Sequence, residues 1–273
     1  MVYVLRGKAP KSLDGDVIDT VVQSSKNQVL FRLPGHGNVL IKNGTHIIID
    51  HQPSIDWSLI RNLIKNKCIA AIMHQRSWGV LHGSAIKSKD KAVLFLGRSG
   101  AGKSTTTAAL TARGYDFISD DLCVIKNQEG ICMLQPAYPS LRLWENTFDL
   151  LGDAKKFTKE KKIRPNINKY YVKPKAAFHN KQLEISHIYI LAEQYTEELR
   201  LEKVNGIESL KALLEFTYAK GQLSGLGGFD TQFKLFSLLL KTIKVKKVLR
   251  PLGQDSDRFQ NLISLIENDF LDE

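Results

Sequence analysis

Eight consecutive residues, Gly97-Arg98-Ser99-Gly100-Ala101-Gly102-Lys103-Ser104, fit the spacing G-x-x-x-x-G-K-[ST] in full, and 15 residues separate Ser104 from the carboxylate pair Asp120-Asp121. Together these read as a phosphoryl-transfer site. Glycines at such spacing let successive backbone N–H groups turn inward as an anion nest, and the positive end of a following helix points into the same space. Lys103 would reach the β- and γ-phosphates of a nucleotide, and the Ser104 hydroxyl would take one position on Mg²⁺. The expected nucleotide-binding set is Gly97, Arg98, Ser99, Gly100, Ala101, Gly102, Lys103, Ser104 and Thr105, with ATP and Mg²⁺ as cofactors. The loop reads phosphates, so a choice between ATP and GTP stays open.

The elements that must position this chemistry follow from pattern. The apolar run 92–96 reads as a strand entering the loop, and residues 103–113 as a helix stopped by Gly114. Residues 80–86 read as a strand joined to 92–96 by the polar turn Lys87-Ser88-Lys89-Asp90. That hairpin sets His82 within a residue or two of Leu96, beside the loop's mouth, where it is either a satisfied strand-end histidine or part of the site. Residues 116–119 are expected to return as a short strand parallel to 92–96 after a helical crossover. Asp120 and Asp121 then lie at the carboxyl ends of the strands, where α/β sheets bind ligands. Two acids there can divide the work, one holding Mg²⁺ directly or through water and the other accepting the proton of an attacking hydroxyl.

Composition bounds the rest. A chain of 273 residues can bury about three quarters of its unfolded surface without external staples. Cys68, Cys123 and Cys132 have no C-x-x-C spacing and read as core or strand thiols of a reducing compartment, the cytoplasm being the default. Neither a long apolar run nor a charged start followed by one is present, so no membrane partner is expected. Of the formal charge of +11, much sits between positions 155 and 175, where nine basic residues face one acid, Glu160. The run is either a solvated surface or an attractor of an anionic partner, and its position suits a loop closing over nucleotide and peptide. Tyr170, Tyr171 and Phe178 interleave it too thinly for a nucleic-acid surface.

Before this core, residues 28–33, 38–42 and 45–50 alternate with turns as a small β subdomain, and 54–75 read as one or two helices with Ser54 as N-cap. The expected boundary separates 1–53 from a catalytic domain at 54–273. After it, 185–192 reads as a buried strand and 207–220, 229–243 and 258–268 as amphipathic helices.

His82-Gly83, the loop 97–104 and Arg113-Gly114-Tyr115-Asp116-Phe117-Ile118-Ser119-Asp120-Asp121 stand in an order that resembles the bacterial HPr kinase/phosphorylase family. The resemblance is strong over about residues 79–145 and looser beyond. Within that family the chain looks most like the proteins encoded with ribosomally made peptides, including lasso-peptide precursor kinases. It implies an α/β P-loop kinase core of the HPr kinase/PEP carboxykinase type with a small β-rich N-terminal subdomain, acting on a serine of a peptide or small protein. It implies Asp120 as base, Asp121 as metal-side acid, His82 as active-site histidine, and the possibility of a homo-oligomer. Typical members carry Glu-Ile-Arg-Gly-x-Gly after the acid pair; here Gln135-Pro136-Ala137-Tyr138-Pro139-Ser140-Leu141-Arg142-Leu143-Trp144 stands instead. Arg142 is then either a cation near the transferred phosphoryl group or a surface strand residue. The alternatives are a kinase of HPr itself, a nucleotide-binding regulator without transfer, and an ATPase. For a cassette ATPase the Ser104-to-Asp120 spacing is wrong, although residues 222–228 weakly resemble its signature.

Overall fold

The computed structural model describes all residues except 15, 18–20, 54, 56, 152–153, 165, 252–254 and 273, and leaves aside the side chains of 16, 17, 154 and 193–195. The expected N-cap at Ser54 lies outside the described residues. The chain is mixed α/β and forms two compact units, one of Met1–Val80 with Thr217–Phe236, the other of Leu81–Phe216 with Ser237–Glu273. The division does not fall after residue 53, and the reason is packing. In the first unit β1 (Tyr3–Arg6), β2 (Asp16–Val17), β3 (Val22–Ser25), β4 (Gln28–Leu33), β5 (Gly37–Lys42) and β6 (His46–His51) form a sheet in the order β1-β6-β5-β4-β3-β2. Its inward residues Val29, Phe31, Val39, Ile41 and Ile47 share one core with Ile60, Cys68 and Ile72. Those three stand on a helical stretch made of α1 (Trp57–Leu63), a π turn at Ile64–Cys68 and α2 (Ile69–Gln75).

β7 (Gly79–Leu81) carries the chain into the second unit, whose strands build the candidate site. β8 (Gly83–Ser88) and β9 (Lys91–Leu96) form the expected hairpin, with Gly83 opposite Leu96. The single strand expected over 80–86 is interrupted at His82. α3 (Lys103–Ala112) follows, ended by Gly114 at φ +108°, and then β10 (Asp116–Asp120). β10 runs in the direction of β9 but is not its neighbour. It pairs antiparallel with β8, Asp120 opposite Ser84, so β8 lies between the two strands expected to touch. The hairpin occupies the edge of β9 that a direct crossover would have used.

β11 (Cys123–Gln128) and β12 (Ile131–Gln135) form a second hairpin over Glu129 and Gly130, both at positive φ. β13 (Leu141–Trp144), α4 (Thr147–Leu151), β14 (Phe157–Lys162) and β15 (Lys169–Pro174) follow, the three strands making a sheet in the order β13-β15-β14. The basic stretch expected as a loop is therefore mostly a β-hairpin, its cations placed along strands. On it the Lys159 ammonium lies 3.7 Å from the centre of the Tyr170 ring and donates to Glu145 at 2.6 Å. β16 (Leu183–Tyr195) runs parallel to β9 on one side; β17 (Arg200–Lys203) and α5 (Gly206–Glu215) come next. The chain then adds α6 (Gln222–Leu226) to the first unit, returns through α7 (Phe229–Leu239), and ends with β18 (Lys244–Arg250), parallel to β16, and α8 (Ser256–Asp272). Here the expected helix 207–220 stops at Glu215 and 229–243 at Leu239. Val93, Phe95, Leu110, Tyr189, Val248, Phe259 and Ile266 belong to the core of this unit.

All three cysteines are buried free thiols, and among the described residues no helix is long and apolar enough to cross a membrane. Gly83 is required by close approach. A Cβ there would stand 2.9 Å from the Phe95 carbonyl oxygen, 2.7 Å from Leu96 Cδ2 and 3.3 Å from Cys123 Sγ. Gly83→Ala is expected to lower stability by about 1–3 kcal/mol, read as a lower midpoint in thermal or denaturant unfolding.

Candidate phosphate-binding and acid-pair site

The apolar strand β9, buried from Ala92 to Leu96, delivers the chain to the loop. Gly97 takes φ +153° and packs so tightly that a Cβ would come within 2.8 Å of the Leu191 carbonyl oxygen. Gly100 and Gly102 both sit at φ +91°, a region that disfavours side chains. Gly102 is the N-cap of α3 and supplies no side-chain acceptor to the first-turn amides. A ten-residue helix thus presents an N-terminus uncapped by side chain at the motif, as an anion site needs.

Lys103 is buried, 7 % exposed, and folds back on the loop: its Nζ donates to the carbonyl oxygens of Gly97 at 2.8 Å and Arg98 at 3.0 Å. Burial pulls its pKa below the usual lysine value, against the opposing pull of Asp120 and Asp121. Ser104 Oγ donates to Asp120 Oδ1 at 2.8 Å, joining the first turn of α3 to the end of β10. The backbone N–H of Arg142 donates to Asp120 Oδ2 at 2.9 Å, so both carboxylate oxygens are engaged. Burial, then the neighbouring Asp121, push the Asp120 carboxyl above the usual range; the bonds from Ser104 and Arg142 offset this only in part.

Asp121 turns the chain at φ +74°. Its Oδ2 receives Arg142 Nη1 at 2.8 Å and its Oδ1 lies 3.4 Å from His82 Nε2. Burial acts to raise its pKa, yet His82, Arg142 and Lys169 together hold it below the usual value. One acid is biased toward the neutral form and its neighbour toward the charged form, the division of environments that acid–base sites use.

Of the residues read from sequence, the structure brings Lys103, Ser104, Asp120, Asp121, His82 and Arg142 together. Arg142, partly exposed, stands on the edge strand β13 opposite Tyr171, its guanidinium 5.9 Å from that ring's centre, and is tied to both acids. Arg98 points elsewhere, to Glu215 at 3.4 Å on an exposed surface. Arg113 pairs with Glu267 and donates to Gln260 Oε1 at 2.9 Å, fixing α3 to α8. Two cations were missed. Lys169, on β15, acts electrostatically on both Lys103 and Asp121. Arg250, ending β18, donates from Nη2 to the Ala101 carbonyl at 3.2 Å.

The donor set suits Mg²⁺. A hydroxyl and carboxylate oxygens are hard ligands, and the Ser104–Asp120 contact already holds two such oxygens 2.8 Å apart. Among the described residues no group of three or more His, Cys, Asp or Glu could hold a metal, and Mg²⁺, which keeps waters and phosphate oxygens, needs no such cage.

No protein-family model matches the chain, and no curated protein is similar to it in sequence. Among solved structures it is similar to the Hpr(Ser) kinase/phosphatase from Coxiella burnetii, with 15% identity, coverage of 71% of this chain and 97% of that chain, and a TM-score of 0.37.

Because the fold raises the Asp120 pKa, the native state holds a proton there more tightly than the unfolded chain does. That contribution favours folding in acid and is lost as pH rises from below the ordinary value of 3.8 through the native value. Asp120→Asn keeps one acceptor for the Arg142 amide and one donor for Ser104. It is expected to melt about 2–4 °C above the unsubstituted protein at pH 7. The gap closes toward acid, as measured by thermal unfolding across pH.

Proposed function

We propose that the second unit is an ATP- and Mg²⁺-dependent kinase of the HPr-kinase-like type that transfers the γ-phosphoryl group to a serine hydroxyl of a peptide or small protein, specifically the precursor of a ribosomally made peptide of the lasso class. The observation that carries this reading is the Ser104–Asp120 hydrogen bond with Arg142 on the far side of the carboxylate. It couples the phosphate loop to the acid pair across a gap of one hydroxyl. A glycine-rich turn that merely stored nucleotide would not require both acids and a guanidinium to converge there.

Ser104 and a carboxylate of the pair would hold Mg²⁺, which when bound neutralises charge on the phosphates. Lys103 leaves the loop carbonyls for phosphate oxygens. Arg142 stabilises negative charge beside the acids, and Asp120, whose raised pKa suits a base, takes the proton of the serine hydroxyl. His82 orients Asp121. Lys159, Lys161 and Lys162 of β14 are exposed and attract an acidic acceptor.

One contact favours exchanging the two acids. Ser104 donates to Asp120, not Asp121, which sets Asp120 beside the hydroxyl expected on Mg²⁺ and leaves the Asp121–His82 pair to accept the proton.

Incubation of the purified protein with Mg-ATP and serine-containing precursor peptides of the lasso class is expected to add one phosphate to one serine, read by mass spectrometry; nucleotide binding with no mass gain would leave a regulator. Asp120→Asn should retain nucleotide affinity while turnover falls by about 10²–10⁴-fold. In Mg²⁺ titrations of nucleotide binding, a weakened response in Asp121→Asn alone supports the first assignment of the acids, and in Asp120→Asn alone the exchanged one. Replacing Lys159, Lys161 and Lys162 together by serine should raise the acceptor KM by roughly threefold to tenfold at low salt with kcat little changed. An unchanged KM removes the hairpin from acceptor binding.

A further inference from the structure

β9, β16 and β18 are parallel, so the phosphate loop after β9 and Arg250 at the end of β18 leave the sheet at the same edge. Arg250 reaches the loop: Nη2 donates to the Ala101 carbonyl at 3.2 Å, and Nη1 stands 3.6 Å from the position of a Cβ on Gly102. The same side chain lines an open, mainly apolar cavity of about 90 Å³ with Leu199, Pro251, Arg258, Phe259, Asn261 and Leu262. Ala101, Phe259 and Leu262 belong to one hydrophobic cluster against which Leu199 packs, so cavity and phosphate loop share a single piece of core.

A cavity of this size and character takes a flat, weakly polar group and cannot enclose a whole nucleoside. Its basic wall, one arginine side chain away from the phosphate loop, suits a ring attached to a polyanion, since a guanidinium stacks favourably on an aromatic face. The reach of that arginine is comparable to the sugar and first phosphate that separate a base from a β-phosphate. Asn261 at the exposed rim offers one donor and one acceptor in a single amide, which matches the adjacent acceptor and amino donor on an adenine edge. Guanine presents two adjacent donors on its pairing edge, best met by a carboxylate, and among the described residues none that lines the cavity is acidic.

We propose that this cavity is the base subsite of the nucleotide, that it takes adenine in preference to guanine, and that Arg250 bridges base and phosphate loop. The proposal rests on the reading of residues 97–104 as a phosphate site.

Calorimetric titration with Mg-ATP, Mg-GTP and Mg-tripolyphosphate separates the two. The unsubstituted protein should bind ATP more tightly than GTP or tripolyphosphate. Leu199→Trp, which fills the cavity from its partly exposed wall, should weaken ATP by about tenfold or more and leave tripolyphosphate unchanged, the latter showing an intact fold. Asn261→Ala should narrow the ratio of ATP to GTP affinity. Equal affinity for ATP and tripolyphosphate in the unsubstituted protein overturns the base subsite while leaving the phosphate site standing. So does a Leu199→Trp variant that keeps full ATP affinity or loses both ligands equally. Equal ATP and GTP affinity overturns the adenine preference, and binding of none of the three refutes the phosphate site and the subsite with it.

Discussion

A half-buried carboxylate shared by two donors holds the site together. Asp120 accepts from the Ser104 hydroxyl and from the Arg142 amide, and through it the first turn of α3, the end of β10 and the strand β13 meet at one point. A carboxylate out of water is costly unless its lone pairs are satisfied and a cation stands near. Here both oxygens are bonded, yet burial and Asp121 still push its proton affinity up. The fold therefore keeps a group that it does not fully compensate. A carboxyl biased toward its neutral form thus stands beside a helix N-terminus that no side chain caps.

The sheet determines why that point lies where it does. Since the β8–β9 hairpin interposes a strand between β9 and β10, Asp120 stands opposite Ser84, which stands opposite Phe95, two strand spacings or about 10 Å from the strand that feeds the loop. A carboxylate that far across the sheet could not serve a loop lying flat on β9. The loop instead lifts off through Gly97, and α3 carries Ser104 across the top of β8 to close the distance. Gly83, pressed against the Phe95 carbonyl and Cys123, lets the strands beneath this crossing pack tightly. The same antiparallel insertion brings His82, one residue before Gly83, to the side of Asp121.

Much of this was legible in sequence because glycines and acids mark backbone events that few other residues can make. The positive-φ glycines of the loop, the stop at Gly114 and the acid pair are of this kind. What escaped was written in residues whose type misleads. Residues 244–250, Lys-Val-Lys-Lys-Val-Leu-Arg, have four cations in seven positions and do not read as a strand, yet Val245, Val248 and Leu249 are buried in the sheet. Arg250 was lost with that strand. Lys169 disappeared into a basic run taken as a whole, although Val172, fully buried two residues past Tyr170, reveals the half-buried alternation of a strand in it. Arg142 could not be decided from sequence, since its role depends on a three-stranded pairing between segments some thirty residues apart.

Under the proposed reading, Lys103 would spare the site a large rearrangement when a polyphosphate binds. In the structure its ammonium is already desolvated and donates to two loop carbonyls, so the cost of removing it from water is met in the fold itself. Moving the donors from carbonyl dipoles to phosphate oxygens replaces neutral acceptors with charged ones at little additional desolvation, and charge-assisted bonds are the stronger kind. Asp120 and Asp121 favour the charged lysine against burial, while Lys169 works in the opposite sense. The balance is a lowered pKa for an ammonium that donates to two neutral carbonyl oxygens. Under the proposed reading, preorganisation of this sort sets electrostatic stabilisation beside the phosphate loop before a substrate arrives.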